Sequence, residues 1–155
     1  LPPGTGDVAL SLGQKLPNAE VLVVTTPQQA AAEVAERAGT MASMLEQKVL
    51  GVIENMAYLD VTCPACGNTH RVDVFGSGGG EAVAETLTER LGYEVPLLAE
   101  IPMDPAMSAA GDVGVPLVAT DPSHPSATAL SAVADLLASR RISLIGKSLN
   151  VTPVG

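Results

Sequence analysis

Short apolar runs alternating with helix-length amphipathic stretches constrain this chain most. "VLVVTT" (21–26) is too short for a buried helix and rich in β-branched residues, so it reads as a strand covered on both faces. "VLGVI" (49–53) and "LLAEI" (97–101) read the same way. Pro27 suits a first helical position, with Thr26 as candidate N-cap. The spacing then predicts a helix over about 28–47 with Val34, Ala38, Met41 and Leu45 on one face. A second helix over 81–91 aligns Val83, Leu87 and Leu91, and a last one over 126–140 aligns Leu130, Val133, Ala134 and Leu137. Strand–helix alternation of this kind implies an α/β fold with a parallel sheet. Residues 142–155 read as a tail.

The core of such a fold must be aliphatic. Hydrophobic residues make up 46% of the 155, but aromatics only 2%, namely Tyr58, Phe75 and Tyr93. Eight basic residues face 17 acidic ones, a formal net charge of −9, which disfavours nucleic acid or an anionic membrane as partner. No apolar run reaches the length of a membrane span. The opening "LPPGTGD" has no basic n-region, so no secretory leader is expected and the cytoplasm is the expected compartment.

In open parallel sheets, ligands collect beyond the carboxyl ends of the strands. Those ends carry Thr25-Thr26-Pro27, Glu54-Asn55-Met56 and Pro102-Met103-Asp104, any of which is also ordinary turn chemistry. Three glycine-rich stretches are candidates for a phosphate site. "GSGGGE" (76–81) has Glu81 where a dinucleotide fingerprint needs its third glycine and lacks the Lys-Ser/Thr of a phosphate loop. "GKS" (146–148) has Arg141 where the first glycine of a Walker A loop belongs. "PPGTGD" (2–7) could offer amides to a phosphate, because Gly4 and Gly6 allow close approach. None is a complete phosphate loop.

The only two cysteines stand together in "VTCPACGNTH" (61–70). Pro64 and Gly67 favour a tight turn that aims both sulfurs to one side, and "HRVDVF" continues as a hairpin arm. Thiolates suit an iron–sulfur cluster or zinc. Either needs four ligands, so a two-fold dimer would complete an S₄ shell. A thioredoxin-type site fits poorly, because its cysteines open a helix after a strand. His70 reads as a loop imidazole and His124, in "DPSHPSA", as structural. No Ser–His–Asp arrangement follows from spacing.

Taken together, "LPPGTGD", "VVTTPQ", "GVIENM", the Cys-x-x-Cys, "FGSGGGE" and "IPMDP" resemble, in order and spacing, the Mrp/ApbC family of MinD-like P-loop ATPases that carry iron–sulfur clusters. The resemblance covers roughly 1–140. It implies a parallel-sheet, three-layer, MinD-like P-loop NTPase domain truncated at its N-terminal side, spanning 1–141, with a Cys-x-x-Cys hairpin insertion near 57–76. In that family the phosphate loop lies upstream of the first residue here, so ATP hydrolysis is expected of the complete protein. Residue by residue, the resemblance implies that Gly4, Thr5, Gly6 and Asp7 face the γ-phosphate and magnesium. It implies that Asn55 recognises adenine, with Pro102 to Asp104 packed on the ring. Cys63 and Cys66 would hold a bridging [4Fe–4S] cluster in a homodimer, for transfer to apo iron–sulfur proteins. The alternative is a zinc-stabilised, non-enzymatic dimerisation module.

Overall fold

The computed structural model describes residues 11, 13–16 and 18–142. The candidate switch residues Gly4, Thr5, Gly6 and Asp7, the "GKS" stretch and most of the expected tail lie outside them. Strand β1 (Val21–Thr25) leads to helix α1 (Gln29–Met44) and strand β2 (Val49–Asn55). A hairpin follows, β3 (Leu59–Thr62) and β4 (Thr69–Val72), then helix α2 (Gly79–Leu91) and strand β5 (Leu97–Ile101). Helices α3 (Pro105–Asp112), α4 (Leu117–Thr120) and α5 (Pro125–Ile142) complete the described chain.

The three strands expected from their apolar runs form one parallel sheet in the order β1-β2-β5. The central strand, β2, is buried from Val49 to Glu54, which is why its sequence carries no alternation. On one face, α1 and α2 close a core of Val23, Val49, Val52, Val83, Leu87 and Val95. On the other, Val133 of α5 packs on Ile53 and Ile101, with Leu130, Leu137 and Met107 around them. The result is three layers, helices on both faces of a parallel sheet. The hairpin β3–β4 is a separate antiparallel sheet.

Helix α1 turns a different face inward from the one its larger side chains predict. Ala32, Ala35, Gly39 and Ala42 are buried, whereas Val34 is 41% exposed and Ala38, Met41 and Leu45 are half-buried. The reason is close packing against α2. A Cβ on Gly39 would come within 2.6 Å of Leu87 Cδ2, so only small residues let the two helices meet. In α5, Ala134 is likewise exposed while Val133 is buried. Thr26 does not cap α1. The helix starts at Gln29 after Gln28 with no side-chain cap, and the Thr26 hydroxyl is buried without a partner. Pro27 is used instead as a packing surface, its carbonyl lying where a Cβ on Gly79 would be.

Candidate functional site

Asn55 ends β2, and its register partner on β5 is Ile101, the residue before Pro102. The carboxyl edge of the sheet therefore brings Asn55 beside the loop Pro102–Asp104. Met56 adopts φ +55°, a left-handed conformation uncommon for a residue with a side chain, and turns the chain out of the sheet. Ala57 N then donates to Ile101 O at 2.9 Å and Met103 N to Tyr58 O at 2.6 Å. These two bonds tie the base of the hairpin to the loop.

Asp104 is fully occupied inside that loop. As N-cap of α3, with Pro105 at the first helical position, its Oδ1 accepts from Ala106 N at 2.8 Å. Its Oδ2 accepts from the Ser126 hydroxyl at 2.6 Å and lies 3.1 Å from His124 Nδ1. Partial burial works to raise the Asp104 carboxyl. The bonds from Ser126 and Ala106 and the neighbouring imidazole outweigh it, holding the group below the usual carboxylate range. Pro102 is buried and Asn55 half-buried.

One strand position inward, Glu54 is almost completely buried and its Oε2 accepts from Gly80 N at the start of α2. A carboxylate at a helix N-terminus is favourably placed. Here it docks α2 against the sheet. That contact accounts for the glycines of "GSGGGE": a Cβ on Gly80 would sit 2.8 Å from Glu54 Cβ, and one on Gly79 would meet the Pro27 backbone. The sequence places Glu54 at the carboxyl end of a strand, where it reads as turn chemistry, and its bond to Gly80, 26 residues on, has no local signature.

At the tip of the hairpin, Cys63 N donates to Asn68 O at 2.8 Å and Gly67 N to Cys63 O at 2.9 Å. Gly67, at φ +72°, supplies the left-handed residue that this knuckle needs. Both thiols are free, Cys66 exposed and Cys63 half-buried. The amides of Cys66 and Ala65, followed by the Cys66 thiol, hold the Cys63 thiol below its ordinary range against a smaller opposing effect of burial. Among the described residues, no third His, Cys, Asp or Glu joins the pair in a group able to hold a metal, His70 included. One chain thus presents two thiols, where tetrahedral thiolate chemistry requires four ligands. No described helix is long and apolar enough to cross a membrane.

A three-layer parallel sheet with its loops gathered at one carboxyl edge, bearing a two-thiol hairpin beside them, is a MinD-like P-loop NTPase fold. It overlays the MinD septum site-determining protein of Pyrococcus horikoshii, complexed with Mg-ADP, with TM-score 0.56 at 24% identity, over 79% of this chain and 42% of that one. A nucleotide-binding protein from Archaeoglobus fulgidus, in complex with ADP, gives TM-score 0.53 at 38% identity over 74% of this chain and 43% of that one. Residues 1–138 match the family described as ParA, NUBPL iron-transfer P-loop NTPase, and the chain belongs to that family. Proteins named iron-sulfur cluster carrier protein are 56% identical in Mycobacterium tuberculosis over 99% of this chain, and 38% identical in Pyrococcus furiosus over 90% of it. The chain spans 39% and 43% of those two relatives' lengths. Family and relatives favour iron–sulfur chemistry and lend no support to the zinc alternative.

Proposed function

We propose that this chain carries the cargo-binding part of an iron–sulfur cluster carrier. Cys63 and Cys66, with the same pair from a second copy, would hold a [4Fe–4S] cluster as cargo and surrender it to apo-proteins. The observation that carries this reading is the hairpin knuckle: two free thiols at its tip, amides turned toward Cys63, and half of a four-thiolate shell per chain. The iron-transfer family and the carrier relatives support it. Nucleotide binding and hydrolysis, with magnesium, would belong to the longer protein. There Asn55 and the loop Pro102–Asp104 would lie at adenine, and Gly4, Thr5, Gly6 and Asp7 at the γ-phosphate. Residues 1–155 contain no complete phosphate loop, so the chain by itself is not expected to hydrolyse ATP.

Anaerobic reconstitution with iron and sulfide tests the proposal. The expected product is brown from thiolate-to-iron charge transfer and holds about two irons per chain. Cys63→Ala or Cys66→Ala removes two ligands from a shared site and should abolish loading. Full loading of either variant would refute it, and a colourless protein retaining zinc would replace the cargo assignment.

A further inference from the structure

The thiols stand on a two-stranded sheet that shares no strand with the main one, and an isolated hairpin is marginally stable. Besides the two backbone bonds at its base, the hairpin reaches the main sheet through the side chain of Arg71 on β4. The guanidinium lies 3.5 Å from the centroid of the Tyr58 ring, its Nη2 donates to Glu100 Oε2 at 3.0 Å, and its Nε is 3.8 Å from Asp73. Asp60 is its register partner across the hairpin. Glu100 is the penultimate residue of β5, directly before Ile101 and the loop Pro102–Asp104. Arg71 therefore spans from the thiol-bearing hairpin to the strand that carries the loop beside Asn55.

We propose that Arg71 is a positioning residue for the cargo site, a clamp that fixes the angle of the thiol hairpin against β5 and so sets how readily the cluster is given up. The proposal rests on the reading of Cys63 and Cys66 as cargo ligands. Arginine suits the task because its flat, delocalised cation stacks on a ring while its edge still donates to a carboxylate. The Arg71 and Glu100 side chains are 49% and 42% exposed, so the ion pair alone would hold weakly and yield to salt. The ring beneath gives the contact its direction. A hairpin held this way is fixed at rest yet can swing when β5 or its loop shifts, without disturbing the cysteine knuckle.

The test is cluster release from the reconstituted chain to excess EDTA under anaerobic conditions, followed by loss of the charge-transfer absorption. Arg71→Ala should load iron as the unaltered chain does but release it about fivefold faster, and Glu100→Gln, which leaves the ring contact in place, should load equally and release faster by a smaller factor. The double variant should be no faster than Arg71→Ala, because the loss of Arg71 already removes the contact to Glu100. Tyr58→Phe, which keeps the ring, should release at the parent rate. Arg71→Glu paired with Glu100→Arg should recover part of the loss. Release should quicken with salt in the parent and not in Arg71→Ala. Equal release by parent and Arg71→Ala, at equal loading, would overturn the clamp and leave the cargo reading standing. If the parent loads no cluster, the cargo reading fails, and amide exchange of the unloaded chain decides the clamp. Exchange over residues 59–72 should then be about fivefold faster in Arg71→Ala with β2 and β5 unchanged, and unaltered exchange there would overturn it.

Discussion

Asp104 shows how far a single residue can be read. "DP" before a helix is legible as a cap followed by a first-turn proline, and the structure uses it so. The second half of its role, the bond to Ser126 at the start of α5, joins residues 22 apart and has no local signature. Asp104→Ala should cost about 1–2 kcal/mol, a cap plus a hydroxyl left without its acceptor. The pH dependence follows in sign. The folded state depresses this carboxyl, so its contribution is complete above the unfolded value near 3.9 and is lost as pH falls through the lower folded value. Denaturant midpoints measured between pH 7 and pH 3 should drop less steeply for Asp104→Asn than for the parent. Parallel profiles would show that the carboxylate contributes nothing specific to the fold. The knuckle was more legible: two cysteines around Pro64 with Gly67 after them specify a turn by local geometry alone. Asn55 is intermediate, since its place at a strand end is readable while its proximity to Pro102 depends on the β2–β5 register.

At the scale of elements, the strands were legible because burial on both faces leaves an unbroken apolar run, and α2 because Val83 and Leu87 repeat at helical spacing. Helix α1 was legible in extent but not in orientation, since hydrophobicity ranks Val34 and Met41 above Ala35 and Gly39 whereas close helix packing ranks by size. Helices α3 and α4, short and without a fully buried residue, carry no periodic signal. The glycine run before α2 was readable as exceptional but not for its cause, which lies in Pro27 and Glu54 on other elements. That cause can be checked. Gly80→Ala places a methyl against Glu54 and Leu97 at 2.8–2.9 Å and should destabilise by about 2 kcal/mol or more. Gly78→Ala meets nothing within 4 Å and should cost only the left-handed backbone, about 1 kcal/mol. Thermal melts of the two variants should rank Gly80→Ala below Gly78→Ala. The reverse order would mean that α2 is not docked through Glu54.

At the scale of the whole molecule, the proposed cargo site asks for more than one chain. Two thiolates cannot close a four-thiolate shell, so if the cluster bridges copies, loading and association must rise together by linkage. The alternation that made the α/β class legible in the sequence also implies sheet edges, and those edges complicate the measurement. Among the described residues β1 pairs only with β2, and Val24 on it is 59% exposed, a surface that can associate without any metal. The two kinds of association differ in what reverses them. Sedimentation of the reconstituted chain should give a dimer that returns to monomer on chelation, whereas contact through the β1 edge should persist in chelator and in Cys63→Ala. Dilution should separate them further, because a bridged cluster is held by two chains and its occupancy should fall with protein concentration at fixed free iron. A cluster-loaded monomer, stable to dilution, would sink the bridging arrangement. The missing ligands would then have to come from water, a small thiol or the acceptor protein itself.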